Sequence, residues 1–190
     1  ELISNDENVL FVEANQEWSI EAQTIGTGIQ RSFATANTNL QINSAHDYIV
    51  DADVAVIDTG IDLDHPDLNV VAAINCTLNG PYEGTCSGTK DDGNGHGSHV
   101  AGIIGALDNG IGVVGMAPGV RLWAVKVLTN QGFGTTAQII AGIDWVAAHA
   151  DNIEVANMSL GGTGESLVMD LAISNAVAKG ITFVLSAGNS

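Results

Sequence analysis

Cationic side chains are scarce in this chain: five Lys and Arg stand against 22 Asp and Glu, a formal net charge of −17 over 190 residues. Phosphate backbones are bound by clustered cations, so the imbalance argues against nucleic acid as a partner. It suits a cation-rich medium, and it equally suits plain solubility. Long apolar runs are missing too. None reaches the roughly 18 residues of a membrane-crossing helix, so no membrane association is expected. The opening ELISNDENVL has neither the basic start nor the apolar centre of a signal peptide, although a leader removed upstream would leave no trace here. Cysteine is confined to Cys76 and Cys86, too few for a zinc site on their own. They flank the turn-rich TLNGPYEGT and either close a local disulfide in an oxidising compartment or remain free thiols. No strand-like run leads into G-x-G-x-x-G or G-x-x-x-x-G-K, which counts against a nucleotide-binding domain.

What is present is apolar material in short, well-spaced runs. At 45% hydrophobic and a mean hydropathy of +0.22, the chain can bury a substantial core and form one domain or most of one. Strands are expected at 53–57, 70–74, 121–128, 155–159 and 181–186, with helical patterns at 97–107, 136–150 and 166–179. In the last of these, Val168, Leu171, Ala172 and Ala176 recur at helical spacing. A short β-prone run, 9–12, opens the chain, and 23–44 reads as a surface-hugging segment without regular structure. Strands alternating with helices, with no internal repeat, define an α/β fold with a mostly parallel sheet covered on both faces. Chemistry in such folds gathers beyond the carboxyl ends of the strands. Asp58, Ser159 and Asn189 fall there.

The stretch 91–107, DDGNGHGSHVAGIIGAL, delivers His96 from a glycine-dense loop to the start of an apolar helix. A histidine exchanges protons near neutral pH. An aspartate at a strand end, Asp58, can accept its Nδ1–H, fix the tautomer and stabilise the imidazolium. Asn189 can donate its amide to a developing oxyanion. Taken singly, Asp58 reads equally as a turn residue and Asn189 as a loop residue. His96 and His99 do not form a zinc pair, since H-G-S-H lacks the glutamate and spacing of H-E-x-x-H. His65 and His99 read as structural.

VAVIDTGIDLDHPDL, DDGNGHGSHVAGIIGA, GMAP, NMSLGG and SAGNS, in this order, resemble the subtilisin-like serine proteases. The resemblance implies a three-layer subtilisin-like fold, incomplete at its C-terminus, with residues 22–190 as the first two thirds or so of the catalytic domain. It makes Asp58 the triad aspartate, His96 the general base and Asn189 the oxyanion donor. The family's nucleophile sits in Gly-Thr-Ser-Met-Ala, a motif that does not occur here. Ser190 directly follows Asn189, and Ser98 lies where the family carries a hydroxyl residue that does not attack. The polypeptide therefore reads as part of a secreted, monomeric serine endopeptidase, inactive alone. The alternative is a catalytically inactive, protease-like module that binds peptides.

Further residues follow from the same resemblance. Gly132, Phe133 and Gly134 match the strand edge that pairs with an extended peptide or protein substrate, and Ser159, Leu160 and Gly161 the opposing edge. Ser186, Ala187 and Gly188 match one wall of the principal specificity pocket, whose small residues favour a bulky apolar side chain before the cleaved bond. Gln23, Asp67 and Asn109, with the carbonyls of Leu107, Ile111 and Val113, match a Ca2+ site, and oxygen-only ligands suit that ion. Residues 1–21 match the tail of the family's inhibitory propeptide, a partner of its own enzyme, with self-cleavage expected between Glu21 and Ala22. The segment 76–89 looks inserted relative to the shortest family members.

Overall fold

A computed structural model describes residues 23–79, 82–162 and 164–188. The expected strand at 9–12, the propeptide tail, the Glu21–Ala22 bond and Asn189 lie outside the described residues. Five strands, β1 (Asp53–Asp58), β2 (Val70–Asn75), β3 (Arg121–Lys126), β4 (Val155–Met158) and β5 (Thr182–Leu185), form one parallel sheet in the order β2-β3-β1-β4-β5. With α2 (His96–Gly105), α3 (Thr136–Ala148) and α4 (Leu167–Val177), each boundary falls within two residues of its sequence expectation. β1 occupies the centre and is buried along its whole length, as its β-branched, both-faces-apolar sequence requires.

Alternate residues of the central strands face opposite layers. Val54 and Val56 of β1, with Leu122 and Ala124 of β3, pack with Ala101 of α2. Ala55 and Ile57, with Val125, pack with Ile143 and Val146 of α3 and Ala172 and Ala176 of α4. Each fully buried branched aliphatic contributes about 1.5–3 kcal/mol relative to exposure, so this three-layer core fixes the register that sets Asp58 opposite Lys126. The β2-to-β3 and β3-to-β4 connections run the same way across the sheet on opposite faces, so their crossovers have opposite hands. Right-handed connections prevail in parallel sheets, and here α2 packs on one face of the sheet while α3 and α4 pack on the other.

α2 reaches the sheet through its smallest residues. Gly97, Ala101 and Gly105 are its buried positions, and a Cβ on Gly97 would collide with the Gly60 carbonyl oxygen.

Two expectations need correction. The segment 23–44 is not irregular throughout: it forms α1 (Thr27–Arg31) and a 3-10 turn (Ala34–Ala36), because Ile29 and Ala34 bury against Val114 with Ile25, Leu40 and Ile42 around them. In α4, Val168 and Leu171 do not join the buried stripe; they are exposed, while Ala172 and Ala176 face α3 and the sheet. Cys76 and Cys86 form a disulfide. Among the described residues, no helix is long and apolar enough to cross a membrane.

Candidate active site

The sheet order creates the site. β1 is flanked by β3 on one side and β4 on the other, so the segments that follow those two strands stand on either side of the β1 terminus. Asp58 is the last residue of β1 and fully buried; His96 is the first residue of α2. Their side chains meet, His96 Nδ1 lying 2.8 Å from Asp58 Oδ1. The same oxygen accepts the Thr59 N–H at 2.7 Å, while Oδ2 is buried without a partner among the described residues. A carboxylate on Nδ1 places the proton there and leaves Nε2 as the acceptor. The imidazole is half exposed, so Nε2 is accessible to a substrate-side proton donor.

The loop before His96 is held by a residue that sequence reasoning passed over. Asp92 Oδ1 accepts from Thr59 Oγ1 (2.9 Å), the Asn94 N–H (3.0 Å) and the Gly95 N–H (2.9 Å), and Oδ2 from the Ser98 N–H (2.9 Å) and hydroxyl (2.7 Å). Thr59 Oγ1 in turn accepts the Gly97 N–H at 3.0 Å. Asp92 thus ties the residue after Asp58 to both sides of His96. Burial works against its charge, but the Gly95, Ser98 and Asn94 donors outweigh it and bring the carboxyl down to about 2. Ser98 is spent in this network, since its hydroxyl donates to Asp92 and accepts the Asp62 N–H at 2.8 Å.

Lys126, fully buried at the end of β3, donates from Nζ to the Thr59 carbonyl. Burial pushes its pKa down, and the Asp92 charge partly offsets that. A charged residue interrupting the apolar run RLWAVKVL was the signal that this position serves more than packing.

A cleft of about 300 Å³ opens beside His96 and Thr59, lined by Gly132, Phe133 and Gly134 after β3 and by Ser159, Leu160 and Gly161 after β4. Ser186 lies alongside, its Oγ donating to the Leu160 carbonyl at 2.8 Å, so 159–161 and 186–188 are neighbours. Ala187 and Gly188 are exposed beyond the end of β5.

The residues expected to hold Ca2+ also converge. Gln23 Oε1 accepts the N–H groups of Asn109 (2.9 Å) and Gly110 (2.8 Å); the Asp67 carbonyl accepts the Leu107 N–H (3.0 Å), and Asp67 Oδ2 the Val113 N–H (3.1 Å). Asn109 Oδ1 accepts the Ile111 N–H at 3.1 Å within the same loop. Asp67 Oδ1 is buried with no hydrogen-bond partner among the described residues, and burial raises the Asp67 pKa despite the Val113 donor. That unpartnered carboxylate oxygen, beside the loop 107–113, fits a hard cation. Neighbouring Asp108, buried, accepts from Gln23 Nε2 at 2.6 Å and from the Asn43 and Ser44 N–H groups. His65 Nδ1 accepts the Asp67 N–H at 3.2 Å, whereas His99 is exposed on the wall of a larger, apolar trough beyond α2.

The fold and this crevice define an α/β protein in which a strand-end carboxylate meets a helix-start imidazole, and comparison with known proteins supplies the particulars. Residues 51–190 match the model of the peptidase S8, or subtilase, family. The chain belongs to that family. It is 46% identical over 137 residues to subtilisin DY of Bacillus licheniformis, covering 72% of this chain and 47% of that protein. It is 40% identical over 189 residues to subtilisin E of Bacillus subtilis (strain 168), covering 98% and 46% respectively, and 38% identical over 185 residues to M-protease of Shouchella clausii, covering 97% and 45%. The chain spans about half the length of the curated relatives it matches.

Proposed function

We propose that these residues are part of a secreted, calcium-stabilised serine endopeptidase that acts by acyl transfer. The observation that carries this reading is the 2.8 Å His96–Asp58 contact at the mouth of a cleft walled by two extended segments. In this reading the attacking serine lies outside residues 1–190. His96 Nε2 takes the serine proton as its oxygen bonds to the scissile carbonyl carbon, and Asp58 stabilises the imidazolium. The Asn189 amide donates to the resulting oxyanion. Collapse breaks the C–N bond, His96 returns the proton to the leaving amine, and water then hydrolyses the acyl-enzyme by the same proton route. Gly132–Gly134 and Ser159–Gly161 hold an extended peptide by main-chain hydrogen bonds, and 186–188 shapes the pocket for a bulky apolar side chain.

Gln23, Asp67, Asn109 and the carbonyls of Leu107, Ile111 and Val113 hold Ca2+, whose role is to neutralise the buried Asp67 charge and clamp the N-terminal segment to the loop after α2. Residues 1–21 are the end of a propeptide, with Ala22 as the mature start. The match to subtilisin E covers 98% of the chain and so includes most of that segment, which supports a shared precursor organisation. The mature protein is expected as a monomer. Mass spectrometry of the active protein should find Ala22 first, and a retained Glu1 overturns the processing site.

A fluorophosphonate probe tests the reading. It should label one serine outside residues 1–190 in the complete protein, and His96→Ala should abolish labelling. Peptide hydrolysis that persists without any labelled serine contradicts the mechanism.

A further inference from the structure

Gln138, 2% exposed in the first turn of α3, uses its amide in two directions. Oε1 accepts the Thr135 N–H at 3.0 Å, and the Gln138 N–H goes to Thr135 Oγ1 at 3.3 Å, a reciprocal cap. That arrangement requires nothing of Nε2. Yet Nε2 is bonded away from the helix, to the Leu78 carbonyl (3.3 Å) and Asn79 Oδ1 (3.0 Å). Thr135 directly follows Gly134, the end of one cleft wall. Leu78 and Asn79 belong to the segment after β2, which is rooted by the Cys76 N–H on the Lys126 carbonyl (2.8 Å), by Asn75 N–H to Gly88 O (3.0 Å) and Ser87 N–H to Asn75 O (2.9 Å), and by the Cys76–Cys86 disulfide. Cys76 is fully buried in the main core.

A covalent anchor in the core therefore connects, through one buried amide, to Thr135, the residue that follows the cleft wall. Thr129 closes a turn on the wall's first two residues, its N–H on the Phe133 carbonyl (2.8 Å) and its carbonyl taking the Gly132 N–H (2.9 Å), and the Gly134 end draws its support from Thr135. Gly132 and Gly134 are poor at holding a conformation by themselves, and Phe133 is 75% exposed. Main-chain pairing with a peptide is effective only when the receiving edge is ordered beforehand.

We propose that Gln138 is a positioning residue for the peptide-binding edge 132–134, and that the Cys76–Cys86 crosslink acts on that edge by keeping Leu78 and Asn79 against the Gln138 amide. This rests on the cleft being a peptide-binding site. The test uses the complete protein and two substrates: a tetrapeptide anilide that spans 132–134, and a single-residue ester that does not. Gln138→Glu keeps an acceptor for Thr135 but sets carboxylate oxygen against the Leu78 carbonyl. Cys76→Ser/Cys86→Ser removes the crosslink and leaves Gln138 untouched, and Asn79→Ala, at an exposed position, removes one acceptor.

KM for the tetrapeptide should rise about three- to tenfold in the first two, as expected for losing a buried hydrogen bond, and less in the third. Its kcat, and kcat/KM for the ester, should stay within about twofold, since the His96–Asp58 contact is not altered. An unchanged tetrapeptide KM overturns the inference, and so does an equal loss on both substrates, which would report general instability. If the wild type cleaves neither substrate, it is the protease reading itself that fails.

Discussion

Asp92 is the residue whose removal should be felt most widely without touching the reacting atoms. Its five accepted hydrogen bonds join Thr59, Asn94, Gly95 and Ser98 around His96. Asp92→Asn replaces one acceptor oxygen by an NH2 group facing donors, and should cost about 1–3 kcal/mol of stability at neutral pH. The sign of the pH dependence is set by a carboxyl held near 2 in the folded protein, below its ordinary range. The stabilisation is complete above about pH 4 and is lost as pH falls through 2. Thermal unfolding of wild type and Asp92→Asn should therefore converge between pH 4 and 2; a gap of constant size assigns the effect to something other than the charge. Lys126→Met is the companion test. It removes a buried ammonium but also the support of the Thr59 carbonyl, and should lower kcat even when assayed well below its unfolding temperature.

At the scale of elements, the strands were legible because apolar, β-branched runs bounded by polar turns have few other ways to be buried, and their ends came within two residues. Asp58 and His96 were legible for a local reason too: one ends a strand and the other starts a helix. The contacts of Asp92 and Lys126 were not legible, since they depend on three separate segments meeting around Thr59. α1 was missed because just Ile29 and Ala34 anchor a segment that is otherwise polar. α4 was over-read, because helical spacing at Val168 and Leu171 says which residues share a face but not whether that face is covered.

Burial raises the Asp67 pKa, so ionisation of this carboxyl opposes folding when no ion is bound, and that penalty fades as pH falls through its folded pKa. A bound Ca2+ reverses the sign, because it binds only the ionised form. Chelation should lower the unfolding temperature at neutral pH, the increment restored by Ca2+ should shrink toward acid pH, and Asp67→Asn should abolish it. A chelator-insensitive unfolding temperature would remove calcium from the account.

For the molecule as a whole, the described surface leaves apolar material exposed along one margin. Val184 and Leu185 on the edge strand β5, and Leu167, Val168 and Leu171 on α4, are each more than half exposed. A sheet edge flanked by apolar side chains invites association. The 190-residue polypeptide expressed alone should self-associate in ultracentrifugation despite its charge of −17. A cooperatively unfolding monomer would show that this margin is tolerated in water.

The proposed mechanism requires His96 and Asp58 to act as one proton-handling unit. The most direct measurement is kcat/KM of the complete protein for a peptide substrate in His96→Ala, Asp58→Asn and the double variant. His96→Ala should lose about 10⁴-fold or more, and adding Asp58→Asn should cost little further, because the carboxylate acts only through the imidazole. Losses that simply multiply, or a His96→Ala protein that retains its activity, would contradict it.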